Sequence, residues 1–257
     1  LNTQAKSITL SVVSHGHSDL IGILLETLAH HSSALIARVV VTSNMPELDD
    51  FSQLVCLAQA YPFELQLIEN SRPLGFGANQ NQAFRHCETD HFCIINPDIE
   101  IVLDPFVGLV KVLSQPDVGI AYPSQLDESL ELLDFERELV TLVSLARRHI
   151  CGQRYKQQAG LWADWVSGAF MAFNSSIFRD LGGFDESYFM YCEDVDICLR
   201  VQLAGYKLAK SDTAVIHHTQ RSTLKSWKHL QWHVLSLLSL WVSLPYRQFK
   251  KRSNQNV

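Results

Sequence analysis

The stretch FCIINPDIEIV, Phe92 to Val102, carries an apolar run into an amide, a proline and a carboxylate, then turns apolar again. Asn96 and Asp98, flanking Pro97 at a strand end, could hold a divalent cation, because hard cations take oxygen ligands. Proline fixes its own φ, so such a turn holds the carboxylate in place. The plainer alternative is a strand exit built from ordinary turn-forming residues. A second cluster, YCEDVDICLR, crowds Glu193, Asp194 and Asp196 ahead of Arg200. At a helix start these charges suit the macrodipole, and Asp196 can pair with Arg200 one turn on. Tyr188, Phe189, Met190 and Tyr191 stand immediately before them. A carboxyl group beside such an aromatic wall rises in pKa and can serve as a general base. A third stretch, VIHHTQRS, offers His217 or His218 as a further metal ligand, although a histidine after a strand is more often structural. GFGAN, Gly75 to Asn79, is glycine-rich, but Gln80 stands where a dinucleotide fingerprint needs its third glycine. It can still bring backbone close to a sugar nucleotide.

These groups need a scaffold. Apolar and β-rich runs predict strands at Ile8–Val13, Arg38–Thr42, Phe63–Ile68, Phe92–Ile95 and Val118–Tyr122. Helical sequence lies between them at Leu20–Ala29, Glu47–Ala60 and Gln80–Cys87. Strands alternating with helices predict an α/β fold with a mostly parallel sheet covered on both faces. In such sheets the ligand crevice lies beyond the carboxyl ends of the strands, where Asp98 sits. From Pro123 to Gly160 the pattern weakens, with one charged helix expected at Leu130–Arg148, and it reads as an insertion or a lid. Pattern returns at Trp162–Val166, at SGAFMAF and in a helix at Ser176–Leu181.

Composition narrows the class. A chain of 257 residues, 47% hydrophobic and 19% charged, can bury one sizeable core and is not disordered. The formal charge of -6 is uneven: after Asp212 there is no Asp or Glu, while Arg221, Lys225, Lys228, Arg247, Lys250, Lys251 and Arg252 remain. A basic end on an acidic body points to an anionic partner, either membrane phosphate or nucleic acid. The six cysteines form no C-x-x-C pair, which suits free thiols in a reducing cytoplasm. No charged-then-apolar leader opens the chain, so no signal peptide is expected. The longest strongly apolar stretch, Val234 to Leu244, is too short for a span of about 20 residues.

In their order along the chain, VVSHGH, GFGANQNQAF, NPD, WVSGAFMAF, GGFDESYFMYCEDVDICLR and VIHHTQRS resemble the family 2 glycosyltransferases of the GT-A fold. Within that family NPD and FMYCEDVDICLR are most similar to bacterial L-rhamnosyltransferases of surface polysaccharide (O-antigen) assembly. The resemblance covers about residues 8–223. It implies a nucleotide-sugar donor, dTDP-L-rhamnose, and a lipid-linked saccharide acceptor, joined in one inverting displacement. It further implies that Asp98 and His217 hold a divalent cation (Mg2+ or Mn2+) on the donor diphosphate, and that Asp194 is the general base. Ser14, Gly75, Gly77 and Asn81 would line the nucleotide side, with Asn96, Glu193 and Arg200 also at the donor site. Two departures stand out: the second strand ends in Thr42-Ser43-Asn44 where the family often has Asp-Asn, and Asn96 replaces the first Asp of D-x-D. The resemblance leaves two rivals open, a UDP-hexose or UDP-N-acetylhexosamine transferase and a catalytically silent sugar-nucleotide-binding module.

The resemblance also gives the basic end a use. Residues 1–223 are expected to form the GT-A domain and 224–257 an amphipathic, basic helix and tail. Trp227, Leu230, Trp232, Val234, Leu237, Leu238 and Trp241 between flanking cations suit a helix lying in a membrane interface. The alternative is a core helix closing the domain. The expected partner is thus the membrane surface and no nucleic acid, with a homodimer left open. The expected location is cytoplasmic, peripherally attached to the inner face of the bacterial plasma membrane.

Overall fold

The computed structural model describes residues 6–31, 34–151, 163–218 and 227–255. The chain runs β1 (Ile8–Ser14), α1 (Ser18–His31), β2 (Ile36–Ser43), α2 (Ser52–Leu57), β3 (Glu64–Glu69), α3 (Phe76–Phe84), β4 (His91–Ile95) and β5 (Ile99–Glu100). It continues through α4 (Phe106–Leu113), β6 (Val118–Leu126), β7 (Glu136–Arg137), α5 (Leu142–Cys151), β8 (Trp165–Val166), β9 (Phe170–Asn174) and α6 (Ser175–Asp180). Last come α7 (Glu193–Leu203), β10 (Lys207–His217), α8 (Trp227–Val242) and α9 (Leu244–Gln255).

One sheet organises the molecule, in the order β3-β2-β1-β4-β9-β6-β10-β5. The half from β3 to β4 is parallel, as alternating strands and helices predict. Beyond β4 the sheet is mixed. β9, formed by the end of SGAFMAF, runs antiparallel to both β4 and β6, β10 runs parallel to β6, and β5 closes the edge antiparallel to β10. The mostly parallel expectation holds, because β6 and β10 run the same way as β1–β4; β9 and the short β5 are reversed, a direction that the sequence pattern of β9 does not carry.

Both faces of the sheet are covered, and the period of two sorts side chains between them. Phe92 and Ile94 of β4 face one apolar cluster, with Met171 and Phe173 of β9 and helices α6 and α7. Cys93 and Ile95 face the other, with Phe170 and Ala172 and helices α1 and α4. This is why FCII is apolar without alternation. In the first cluster Phe84, Phe92, Phe173, Phe178 and Phe184 pack ring against ring at 4.6–6.0 Å. Each such ring contributes roughly 1.5–3 kcal/mol by burial.

Leu237 and Leu240 of α8 and Tyr246 and Phe249 of α9 belong to that same cluster. The inner face of the C-terminal pair is thus core, while Trp227, Leu235, Leu238 and Val242 on α8 remain exposed. Among the described residues no helix is long and apolar enough to cross a membrane.

Three expectations about elements change. The helix expected at Glu47–Ala60 is only a 3-10 turn at Pro46–Leu48, then α2 and a second 3-10 turn. Asp49 interrupts it, because its carboxylate accepts from Ser14 Oγ and Ser43 Oγ, both at 2.5 Å. The charged helix expected at Leu130–Arg148 begins only at Leu142. Leu130 has φ +61°, and Glu136–Arg137 pairs instead with Trp165–Val166 as a small separate sheet. Finally α3 starts at Phe76, inside the stretch read as a glycine turn. The expected strand start at Trp162 lies outside the described residues.

Candidate active site

The end of β4 explains its polar break. Asn96 N–H donates to Ala169 C=O (2.9 Å), and Ile99 N–H donates back to Asn96 C=O (3.2 Å). That is a reverse turn with Pro97 in the position that favours a fixed φ. It delivers Asp98 between β4 and β5. Asp98 C=O accepts from His218 N–H (2.9 Å), and Ile99 pairs with His217 in the β5–β10 ladder. The register sets His217 Nε2 3.4 Å from Asp98 Oδ1. The two expected cation ligands, 119 positions apart in the chain, therefore meet at one sheet edge.

The chemistry of this pair is unfinished. Gln125 Oε1 lies 3.2 Å from His217 Nδ1; with the proton on Nδ1, Nε2 faces the carboxylate as a lone pair. Asp98 Oδ1 is buried with no hydrogen-bond partner. Two lone-pair atoms facing each other need a proton or a cation between them. No group of three His, Cys, Asp or Glu that could hold a metal occurs among the described residues. The one carboxylate nevertheless supplies the hard oxygen ligand that an Mg2+ or Mn2+ ion takes alongside water and substrate phosphate, with the imidazole beside it as a second ligand. His218, one position on, points to the opposite side and bridges Glu100 (2.7 Å) and Glu128 (3.0 Å). Those two carboxylates raise its pKa.

The second centre is the start of α7. Tyr191 and Cys192 both have left-handed backbone, φ +72° and +69°, and the helix begins without a side-chain cap. Asp194 Oδ2 accepts from Gly168 N–H (3.2 Å) and Oδ1 from Val195 N–H (2.9 Å). Glu193 is buried, with Oε2 unpaired. Burial pushes the pKa of Glu193 up, and the neighbouring charge of Asp194 adds to it. Burial likewise raises Asp194, against the opposing pull of Arg137 and the two backbone donors. Arg137 also stacks on the Trp165 ring at 4.8 Å, so β7 and β8 form the wall beside Asp194. A carboxylate held by two N–H groups and destabilised in its charged form is suited to accept a proton.

Asp196 and Arg200 pair as the spacing predicts, Nε to Oδ2 at 2.6 Å. The rest of the guanidinium donates to Leu181 C=O (2.9 Å) and Gly183 C=O (2.7 Å). Arg200, expected at the donor site, ties α7 to the GGFD turn. Asn81 behaves alike: its amide donates to Phe184 C=O and Glu186 Oε1, both at 2.9 Å, and accepts from Phe184 N–H at 2.8 Å. The glycines serve close packing. A Cβ on Gly75 would lie 2.6 Å from Phe189 C=O, and one on Gly77 would lie 2.7 Å from Phe184 Cβ. Ser14, expected beside the nucleotide, donates to Asp49 and accepts from His17 N–H (2.9 Å).

Sequence reasoning missed the groups that orient these residues. Gln125 and Asp49 carried no motif. Asn44 and Asn70, just past β2 and β3, form a buried chain with Asn79 of α3. Asn70 Nδ2 donates to Asn44 Oδ1 (2.8 Å) and Asn79 Oδ1 (2.7 Å), while Asn44 and Asn79 hold the Leu74–Gly75 backbone. The available signal was asparagine at successive strand ends.

A family model described as glycosyltransferase like family 2 matches residues 5–231. Rhamnosyltransferase WbbL of Escherichia coli (strain K12) is 30% identical over 248 residues, covering 89% of this chain and 90% of that protein. N-acetylglucosaminyl-diphospho-decaprenol L-rhamnosyltransferase of Mycobacterium tuberculosis (strain ATCC 25618 / H37Rv) is 26% identical over 191 residues, 64% of this chain and 62% of that protein. Among solved structures, the mannosyltransferase PcManGT from Pyrobaculum calidifontis, in complex with GDP-Man and Mn2+, superposes with a TM-score of 0.64 at 18% identity. The match covers 92% of this chain and 65% of that one. This last likeness is one of fold.

Proposed function

The chain belongs to glycosyltransferase family 2, and on that premise we propose that it moves a single L-rhamnosyl group from dTDP-L-rhamnose to a lipid-diphosphate-linked saccharide. The observation that carries the chemistry is the meeting of Asp98 and His217 at the carboxyl end of β4, where the fold opens its ligand crevice. The choice of sugar is supported by the relative named a rhamnosyltransferase, which matches 89% of this chain.

In this reading Asp98 and His217 would hold a divalent cation at the donor diphosphate. When bound, that cation stabilises the negative charge of the departing nucleoside diphosphate. Asp194 accepts the proton of the acceptor hydroxyl as that oxygen attacks the anomeric carbon from the face opposite the leaving group, so the configuration inverts. Gly168 N–H and Val195 N–H keep the carboxylate aimed, and burial disfavours its charged form, which makes taking up a proton easier. Gln125 fixes which nitrogen of His217 faces Asp98. Asn44, Asn70 and Asn79 shape the nucleotide side through the backbone at Leu74 and Gly75.

The acceptor reaches the site at a lipid surface. The outer face of α8, with Trp227, Leu235, Leu238 and Val242 exposed, would lie against the cytoplasmic leaflet. Exposed Arg247, Lys250 and Lys251 on α9 would meet anionic headgroups.

The test is a donor panel of dTDP-L-rhamnose, UDP-glucose and UDP-N-acetylglucosamine with a lipid-diphosphate N-acetylhexosamine acceptor, run with divalent cation and with chelator. Transfer from dTDP-L-rhamnose that falls when cation is removed is the expected outcome. Turnover of a UDP-sugar without dTDP-L-rhamnose would overturn the choice of donor. A full rate in chelator would overturn the role given to Asp98 and His217.

A further inference from the structure

The loop from Tyr188 to Cys192, which presents Glu193 and Asp194, is held from two sides. On one side Phe76 N–H donates to Phe189 C=O (2.9 Å), and Gly75 lets the two backbones touch. On the other side stands α8. Ser236 Oγ donates to Met190 C=O (2.8 Å), and Tyr191 Oη lies 3.0 Å from His229 Nδ1. Phe189 packs on Trp232 with ring centroids 4.8 Å apart, and Tyr191 packs edge-on to His233 at 5.1 Å.

Such clamping has a physical need. Each non-glycine residue in the left-handed region costs on the order of 1–3 kcal/mol and persists only where its surroundings enforce it. Tyr191 and Cys192 are consecutive residues of this kind, and the buried Glu193 and half-buried Asp194 follow at once. The inner face of α8 is one of the two walls that enforce them. Its outer face is apolar and exposed, Leu235 at 62% and Val242 at 70%. The chain after Asp212 holds no acidic residue to repel an anionic surface.

We propose that α8 is a transmission element: seating its outer face on an anionic bilayer steadies the Tyr191–His229 and Ser236–Met190 contacts and so sets the catalytic loop. This rests on the lipid-surface reading above and goes further, because it makes Tyr191, His229 and Ser236 positioning residues that act through Asp194. A helix with the membrane on one face and the loop on the other cannot tilt or slide without moving both.

The experiment uses the full chain with a water-soluble, short-chain acceptor, so that vesicles do not change how substrate is presented. Vesicles of phosphatidylethanolamine with phosphatidylglycerol should bind the protein and raise kcat by about 5-fold or more, the lower end of ordinary coupling between sites, with donor KM unchanged. Vesicles of phosphatidylcholine alone should do neither. Tyr191→Phe and Ser236→Ala should still bind the anionic vesicles but lose the rise; either one suffices if the other fails to fold. Leu235→Glu with Leu238→Glu should lose both binding and rise. Wild-type protein that binds vesicles with unchanged kcat overturns the transmission role alone. So does an undiminished rise in Tyr191→Phe and Ser236→Ala. Absence of vesicle binding overturns this proposal and the lipid-surface reading together, while the donor panel stands apart from both.

Discussion

The two loops that meet at the site, residues 70–76 from β3 into α3 and residues 188–192 before α7, are built on opposite terms. Around the first, Asn44, Asn70 and Asn79 pair with one another and with the backbone of Leu74 and Gly75, and the loop enters α3 through ordinary backbone, φ -67° at Gly75. The second carries two left-handed residues and delivers a buried glutamate with an unpaired oxygen. Among the described residues, Asp98 Oδ1 and Glu193 Oε2 are the buried carboxylate oxygens without a hydrogen-bond partner. Polar groups that only shape the nucleotide side are satisfied within the protein. At the proposed catalytic centre one oxygen of Asp98 and one of Glu193 are left unpaired, while both oxygens of Asp194 are held by backbone N–H groups. The loops touch through Phe76 N–H and Phe189 C=O, and the satisfied one braces the strained one.

This contrast can be broken at either end. The largest effect is expected at Asp194→Asn, which keeps the shape but removes the base; kcat should fall about 10²–10⁴-fold with the melting temperature retained, checked by single-turnover kinetics and calorimetry. Asp98→Ala should lower kcat by about 10²–10³-fold, as for loss of one preorganised charge-stabilising group, and should abolish any response to added Mg2+ or Mn2+. The opposite signature is expected at Asn79→Ala. Removing one member of the satisfied chain leaves buried amide atoms unpaired and should cost about 1–3 kcal/mol in denaturant unfolding, with kcat little changed.

The smallest effect sharpens the strained side. Burial raises the folded-state pKa of Glu193 above its unfolded value. Its full stability is therefore present below the ordinary carboxylate range of about 4 and is lost as pH rises through the raised value. Glu193→Gln has no proton to lose there. Its stability relative to wild type should increase from mildly acidic to mildly alkaline pH, read from denaturation midpoints; a pH-independent difference would show the carboxyl to be ordinary.

Much of this was visible in local pattern. The FCII run bounded by Asn96-Pro97 marks a strand and its exit, because both faces of β4 are buried and proline suits the turn that follows. Asp196 and Arg200 meet because helix geometry alone brings them together. The start of α3 was placed late, since glycines scored as a turn prove to be packing positions in a helix. Arg200 and Asn81 also bond backbone groups of the GGFD turn, which nothing within their own elements announces.

Local spacing thus settled the elements and the residue types at their ends, because strand and helix periods and turn chemistry act over a few neighbours. Partnership across the chain was decided by the sheet. The antiparallel β5–β10 register selects His217 over His218 for Asp98, and β6 supplies the Gln125 that orients it. The same holds for α8: its apolar, basic character is legible in sequence. That its inner face reaches Tyr191 and Met190, while its outer face stays open, depends on the packing of α8 and α9 against α7. Such contacts join residues tens to more than a hundred positions apart, and only the folded core brings them within hydrogen-bond range.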